Sequence, residues 1–312
     1  MPDELTPQAD SEQREAALAP ANGGAPAIEP APADGGVPAI EPILTVPHEA
    51  GAPKPDPILE VDSLSRSFGG LLAVDVDHLE VQRGVTTALI GPNGAGKTTL
   101  FNLLSGFERA DTGHWSFNGE AVTNPSADVL ARKGMIRTFQ LTKSLAKLTV
   151  IDNVLLGAPR QMGEKLWAAP FPNRWRPQEE ANTERAESLL ERFNLAHMRD
   201  DLAGTLSGGQ RKLLEVARAL MADPVLIMLD EPMAGVNPAL AQSLMHHITQ
   251  LVYEGLSVVF IEHAMDVVTG ISDWVVVLAQ GRVIAEGPPW KVIHDDQVID
   301  AYLGRRRAGA AR

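Results

Sequence analysis

The sequence of 312 residues contains no cysteine. Disulfides, thiolate-bound metals and cysteine nucleophiles are therefore excluded, and a reducing compartment is the expected setting. Aromatic residues make up only 5% of the chain. The sequence shows no apolar run near the roughly 18 residues that span a bilayer, and no secretory signal pattern. The length suits one large domain or two.

Basic residues are scarce near the N-terminus. Residues 1–53 contain ten prolines and nine acidic residues but one basic residue, Arg14, so they carry −8 of the net charge of −13. Such a composition cannot bury enough apolar area to offset chain entropy. We predict a disordered tail over 1–53, either a solubilising extension or a docking peptide, a folded domain over 54–304 and a basic tail over 305–312. The acidic balance disfavours nucleic acid as a partner.

Short apolar runs alternate with helical patterns beyond the tail. Such runs are typical of parallel strands that are covered on both faces. They lie at Thr86–Ile90, Val225–Leu229, Val258–Ile261 and Trp274–Leu278. Mixed-polarity strands are predicted at Ile58–Val61 and Leu71–Val81, and a hairpin at Asp111–Val122. Helical periodicity dominates about residues 141–222 and includes an amphipathic helix at Glu179–Phe193. These patterns predict an α/β fold with a mostly parallel sheet and a helical insert.

A glycine-rich turn follows the first apolar strand. Residues Gly91-Pro92-Asn93-Gly94-Ala95-Gly96-Lys97-Thr98 match G-x-x-x-x-G-K-[ST] and open a predicted helix at Thr98–Ser105. Glycines let backbone N–H groups surround phosphate oxygens, and the helix N-terminus favours negative charge. Lys97 can reach the β and γ phosphates, and the Thr98 hydroxyl can bind Mg²⁺. We assign this loop and Thr99 to nucleotide binding; the alternative is a glycine-rich turn with an accidental Lys-Thr.

Two carboxylates follow the apolar strand Val225–Leu229. Asp230 can supply the hard oxygen ligand that a Mg²⁺-bound triphosphate needs at a strand end. Glu231 is suited to orient and polarise an attacking water. Ordinary acids at the end of a strand are the alternative interpretation.

A second candidate anion site precedes the predicted helix Arg211–Met221. The residues are Leu206-Ser207-Gly208-Gly209-Gln210, with Ser207 as a predicted N-cap. Two anion sites exceed the needs of one triphosphate, unless the second serves the nucleotide of another molecule. The alternative is a well-capped helix.

Leu206–Gln210 reads LSGGQ, and the chain here resembles the ABC ATPase family. Gln140 resembles the glutamine of the Q-loop, and His263 resembles the switch histidine, 32 residues after Glu231. Phe68 lies where the family places an aromatic residue that stacks on adenine. Asn237 stands where the D-loop usually has aspartate, so the sequence does not decide whether the family's contact across a dimer is kept. The resemblance covers about residues 58–303.

The resemblance implies a P-loop ABC ATPase core with an antiparallel β subdomain and an inserted helical subdomain. It implies ATP and Mg²⁺ as ligands, with Gln140 both a metal ligand and a catalytic residue beside Glu231, His263 and Lys97. It also implies a head-to-tail pair of cassettes, identical or not, in which Ser207 and Gly209 face the γ-phosphate held by Lys97 of the other cassette. Two transmembrane permease subunits and an extracytoplasmic solute-binding protein would complete a transporter with this chain peripheral on the cytoplasmic side.

Several stretches are similar to the LivG-type subunits of branched-chain amino acid importers. They are Arg137–Gln140, the insert before Glu179, Ala234–Pro238, Ile271–Asp273 and Ala301–Gly304. Importers of urea or short amides share much of this pattern. The rival functions are a non-transport ABC ATPase that acts on DNA or ribosomes and a regulatory nucleotide-binding module without turnover. The chain lacks the long coiled coil or second cassette of the first rival, and its intact catalytic residues disfavour the second.

Overall fold

The computed structural model describes residues 46–123, 126–138, 145–162 and 170–303. The strands in these ranges are β1 Pro57–Phe68, β2 Leu71–Gln82, β3 Thr86–Ile90, β4 Thr112–Phe117, β5 Glu120–Ala121, β6 Met135–Arg137, β7 Leu226–Asp230, β8 Ser257–Ile261, β9 Trp274–Ala279 and β10 Arg282–Gly287. The helices are α1 Lys97–Leu104, α2 Ala127–Arg132, α3 Val150–Leu155, α4 Pro172–Arg192, α5 Gly208–Leu220, α6 Pro238–Tyr253, α7 Met265–Ile271, α8 Pro289–Val292 and α9 Asp296–Leu303.

A six-stranded sheet forms the centre of the domain, in the order β10-β9-β3-β8-β7-β6. The five neighbouring strands β9, β3, β8, β7 and β6 pair in parallel, and β10 pairs with β9 in the antiparallel direction. Every residue of β3 and β8 is buried, as expected for strands covered on both faces. The predicted parallel α/β core is confirmed, and the end of this sheet that carries the strand C-termini positions the candidate site.

A four-stranded antiparallel sheet, ordered β2-β1-β4-β5, covers one side of this core. Its inward residues share a hydrophobic cluster with α1 and with residues of the larger sheet; the cluster includes Val61, Val76, Phe101, Phe117 and Trp274. The predicted hairpin at Asp111–Val122 is present as β4 and β5. The antiparallel β subdomain implied by the family resemblance is therefore present.

Helices α3, α4 and α5 pack together between β6 and β7 of the chain. Their apolar faces form a second hydrophobic cluster that includes Val154, Leu190 and Leu214. Helix α4 starts at Pro172, before the predicted start at Glu179, because proline is compatible with the first helical position. Helix α5 also starts earlier than predicted, at Gly208.

The packed domain begins before the predicted boundary at residue 54. In the N-terminal strap, defined as residues 46–54, the Ala52 N–H donates to Glu286 Oε1 at 2.7 Å. Lys54 Nζ lies 3.2 Å from the same oxygen, and both side chains are 0% exposed. Trp274 Nε1 donates to Glu286 Oε2 at 3.1 Å, and the His48 ring packs edge-on against Trp274. The strap is thus part of the fold, and residues 46–53 belong to the packed domain rather than to the predicted tail.

Replacing Lys54 with methionine should lower the free energy of unfolding by about 3–5 kcal/mol. The change leaves the Glu286 carboxylate buried without its cation, which is the costly way to break a buried ion pair. Urea denaturation would measure the loss. Lys133→Met is the control, because Lys133 pairs with Glu120 on the surface and should cost less than about 1 kcal/mol. Equal losses in both variants would contradict the structural role of the strap.

Candidate active site

The phosphate loop joins the end of β3 to the start of α1. Lys97 Nζ donates to the carbonyl oxygens of Gly91 at 2.7 Å and Pro92 at 3.0 Å. Burial lowers the pKa of the Lys97 ammonium, while the charge of Glu231 works in the opposite direction. The first turn of α1 has neither a side-chain cap nor an acidic residue. Its N–H groups and Lys97 together suit an anion.

Two loop positions accept only glycine. A Cβ at Gly91 would lie 2.0 Å from the carbonyl oxygen of Leu278, in β9. A Cβ at Gly96 would lie 2.2 Å from that of Ala73, in β2, and Gly96 has a φ of +100°. The loop therefore packs closely against β2 and β9, and this packing is possible because Gly91 and Gly96 have no side chains.

Glu231 and His263 meet at the ends of two neighbouring parallel strands. The pairing of β7 with β8 places Asp230 opposite Ile261, so the residues that follow also become neighbours. Glu231 Oε1 lies 3.0 Å from His263 Nε2. Glu231 has a φ of +48°, and its N–H donates to the Ile261 carbonyl at 3.1 Å. The strained turn fixes the Glu231 carboxylate at the C-terminal end of the parallel strands, where Lys97 also lies.

Glu262 holds the turns that carry Glu231 and His263 through backbone hydrogen bonds. Its buried carboxylate accepts the N–H of Met233 at 2.9 Å through Oε1 and the N–H of His263 at 3.0 Å through Oε2. It thereby joins the turn after Glu231 to the turn that carries His263. The sequence analysis missed this residue; the available signal was a carboxylate between a fully apolar strand and a candidate histidine.

Arg137 is the second residue that the sequence analysis missed. Its side chain is 6% exposed, and Nη2 donates to Asp230 Oδ2 at 2.7 Å. Nη1 donates to Asn102 Oδ1 at 2.7 Å and to Ser105 Oγ at 3.0 Å, both on the α1 segment. Arg137 therefore links α1 to the carboxylate predicted to bind metal.

The donor set around the loop fits a magnesium ion that keeps phosphate and water ligands. The exposed Thr98 residue and the partly exposed Asp230 supply a hydroxyl and a carboxylate of the hard kind that Mg²⁺ prefers. Because Oδ2 of Asp230 accepts from Arg137, the other carboxylate oxygen is the atom suited to a cation. The described ranges contain no cluster of three His, Cys, Asp or Glu side chains that could hold a metal alone.

The LSGGQ segment leads into α5, which starts within it at Gly208, and Ser207 is the N-cap, as predicted. Ser207 caps the helix by accepting the Gln210 N–H at 3.3 Å, and Gln210 Oε1 accepts the Ser207 N–H at 2.9 Å. Gly209 lies so close to α6 that a Cβ there would be 2.9 Å from Leu240 and 3.2 Å from Val236. Asn237 caps α6 by accepting the Leu240 N–H at 3.0 Å.

The structure brings the predicted site residues together in part. The phosphate loop lies at the C-terminal end of the sheet, as do Asp230, Glu231 and His263. Phe68 ends β1 with a 44% exposed side chain, and the Arg66 guanidinium lies over its ring at 4.7 Å. Among the described residues, no hydrogen bond joins Ser207–Gln210 to the loop. Gln140 lies outside the described residues.

Comparison with known proteins identifies the family. A family model described as ABC transporter matches residues 74–234. The chain belongs to the ABC transporter family. A second model, described as branched-chain amino acid ATP-binding cassette transporter, matches residues 282–308 of this ABC cassette. Both matches confirm the resemblance predicted from the motifs, and the family establishes the chain as an ATPase.

Relatives of this ABC cassette match over most of their own length. It is 43% identical to a LivG protein of Archaeoglobus fulgidus, over 79% of this chain and 95% of the relative. It is 41% identical to BraF of Pseudomonas aeruginosa, named a high-affinity branched-chain amino acid transport ATP-binding protein, over 80% and 98% of the two chains. A crystal structure of an ABC transporter cassette in its ADP conformation is 39% identical, with a TM-score of 0.71 over 80% of this chain and 99% of the other.

Helices of this cassette are too short or too polar to cross a membrane throughout the part of the chain that the structure describes.

Changes to Arg137 and Asp230 should have non-additive effects on the free energy of unfolding. Asp230→Asn removes the carboxylate from a nearly buried guanidinium and should lower the free energy of unfolding by about 3 kcal/mol. Arg137→Met combined with Asp230→Asn should lose less than the sum of the single changes. A double-mutant cycle in urea should give a coupling energy above about 1 kcal/mol.

The matched control is the exposed pair of Arg132 and Asp128, for which the same cycle should give about 0.5 kcal/mol or less. A coupling energy for Arg137 and Asp230 no larger than the control would show that the guanidinium does not depend on this carboxylate.

Proposed function

We propose that this ABC ATPase powers the uptake of branched-chain amino acids as the peripheral cytoplasmic subunit of an importer. The observation that carries the proposal is that the buried Lys97 and the pair of Glu231 and His263 lie together at the C-terminal end of the sheet. This set combines phosphate binding with a positioned carboxylate. The amino-acid class is supported by the names of the relatives and by the family match at residues 282–308.

ATP binding rests on the loop Gly91–Thr99 and on Phe68. The first-turn N–H groups of α1 donate to phosphate oxygens, and Lys97 moves its donors from two backbone carbonyls to phosphate oxygens. The exposed ring of Phe68 offers a face for the adenine. Thr98, Asp230 and Gln140 would hold Mg²⁺, which would neutralise phosphate charge.

Glu231 orients and polarises the water that attacks the γ-phosphate. His263 Nε2 fixes the Glu231 carboxylate from one side, and Glu262 fixes the backbone of His263. The carboxylate is thus set before substrate arrives, which limits the reorganisation that the reaction requires. Gln140 joins the catalytic set from the segment after β6.

The LSGGQ segment serves the nucleotide of a second cassette, which is either the same chain or a paralogue. Ser207 and Gly208 are exposed at the start of α5, where helix N–H groups favour a phosphate. In a head-to-tail pair this end of α5 meets the nucleotide on Lys97 of the partner. ATP stabilises the closed pair, and hydrolysis removes the bridging phosphate. Asn237 caps α6 within its own chain and leaves the remaining capacity of its amide to the partner.

Two permease subunits contact the cassette beside the Gln140 segment. A groove of about 470 Å³ lies between the β6 region and the helices α3 and α5; its lining includes Arg132, Thr138, Arg160, Glu215 and Arg218. Because Thr138 leads directly into the Gln140 segment, a permease seated in this groove would respond to the nucleotide state. A solute-binding protein acts on the permeases from the other side of the membrane.

Glu231→Gln should retain ATP binding and reduce steady-state hydrolysis by at least about 100-fold. The amide keeps the size of the side chain but loses the charge that polarises water. Phosphate release measures turnover, and gel filtration with ATP should reveal a trapped dimer. In the reconstituted complex the variant should also stop leucine uptake.

Glu254→Gln is the control, because Glu254 pairs with Arg192 on the surface, far along the chain from the loop. It should keep the hydrolysis rate of the unmodified protein. Unchanged hydrolysis by Glu231→Gln would remove Glu231 as the catalytic carboxylate. Uptake of urea rather than leucine by the unmodified complex would contradict the amino-acid assignment alone.

Ser207→Arg should abolish hydrolysis and leave nucleotide binding by the monomer unchanged. The bulky cation stands at the surface that is offered to the partner, while the loop Gly91–Thr98 of the same chain is untouched. Equilibrium binding of a fluorescent ATP analogue and phosphate release give the two readouts. Full hydrolysis by this variant would disprove the composite site.

A further inference from the structure

The C-terminal helix contacts the phosphate loop directly. The hydroxyl of Tyr302, in α9, accepts the N–H of Gly91 at 2.9 Å. The two residues are separated by 211 positions in sequence. Gly91 is the first residue of the loop, and its N–H stands at the point where β3 ends. The contact therefore fixes the loop at its entry rather than at the phosphate-facing turn.

Helix α9 is anchored at its start, and the Tyr302 hydroxyl reaches the phosphate loop although the residue is 39% exposed. The Asp295 carboxylate accepts the N–H groups of Gln297 at 2.8 Å and Val298 at 3.3 Å at the start of the helix. Val298 is buried in the core, and Tyr302 follows it by four residues on the same helix face. A capped start and the buried side chain of Val298 thus hold the helix that carries the tyrosine.

The Gly91 residue is held by two side chains through its two backbone polar groups. Tyr302 binds its N–H, and Lys97 binds its carbonyl oxygen. The Lys97 ammonium has three donors, and the carbonyls of Gly91 and Pro92 take two of them. If Lys97 donates to both the β and the γ phosphate of a bound nucleotide, at least one of these carbonyl bonds must be released. Release of the Gly91 carbonyl would leave Tyr302 as the side chain that holds the Gly91 peptide. The attachment to Tyr302 uses no group that phosphate needs.

We propose that Tyr302 is a positioning residue of the phosphate loop, whose hydroxyl holds the Gly91 peptide in place while Lys97 turns from the loop carbonyls to nucleotide phosphate. The proposal rests on the nucleotide site described under the proposed function and adds to it a role for the C-terminal helix. Burial raises the pKa of the Tyr302 phenol, while the Gly91 N–H lowers it, and the net direction keeps the hydroxyl protonated at neutral pH.

Tyr302→Phe keeps the ring and removes the hydroxyl. It should raise the KM for ATP about three- to tenfold, the range expected for one backbone hydrogen bond, with a smaller change in kcat. Tyr253→Phe is the matched control, because this other tyrosine is 87% exposed at the end of α6. It should leave both constants unchanged. An unchanged KM in Tyr302→Phe, or a loss that appears only in Tyr302→Ala, would reduce Tyr302 to packing and overturn the proposal.

A second readout uses the presence of two tyrosines in the chain. Protein labelled with 3-fluorotyrosine should give two fluorine resonances, each assigned by the corresponding phenylalanine variant. Saturating ADP should shift the Tyr302 resonance and leave the Tyr253 resonance in place. Absence of that shift would also overturn the proposal.

Lys97→Ala distinguishes a failure of the proposed role of Tyr302 from a failure of the proposed nucleotide site. If it loses nucleotide affinity while Tyr302→Phe does not, the nucleotide site stands and the role of Tyr302 fails. If Lys97→Ala binds ATP as tightly as the unmodified protein, the proposed function of the loop itself fails.

Discussion

A lysine ammonium kept largely out of water is the constraint on which the site depends. Lys97 is placed there by a fully buried strand, and its burial requires acceptors nearby, which the loop supplies as backbone carbonyls. Carbonyls can turn toward it only in a backbone that glycine permits, since side chains at Gly91 or Gly96 would strike neighbouring strands. The strand, the loop and the uncapped helix are consequences of one requirement, which is to keep a cation ready for a polyanion.

The sequence predicted well wherever a local pattern encodes the structure. The strand Thr86–Ile90 matches residue for residue, and Ser207 was identified as the helix cap, because strand burial and capping depend on near neighbours. Arg137 and Glu262 escaped prediction because their partners are chosen by sheet pairing. Arg137 reaches Asp230 only because β6 lies beside β7, and the two residues are 93 positions apart. No spacing rule within one chain contains that information.

Residues of the LSGGQ segment and the D-loop cap helices of their own chain and, in the proposed pair of cassettes, would also face the partner. Ser207 and Asn237 both cap helices of their own chain, and both stand on an exposed surface. Capping fixes their side chains before any partner arrives, so less side-chain entropy remains to be lost on association. The asparagine that departs from the family pattern keeps this local task, since asparagine caps helices as well as aspartate does.

The close approach of Gly209 to α6 joins two segments of the site. Because Gly209 has no side chain, the start of α5 packs closely on Leu240 of α6 and on Val236 of the preceding turn. Glu262 in turn joins that turn to the one that carries His263. A displacement of the start of α5 would therefore reach the carboxylate of Glu231, the proposed catalytic residue, through Val236, Glu262 and His263.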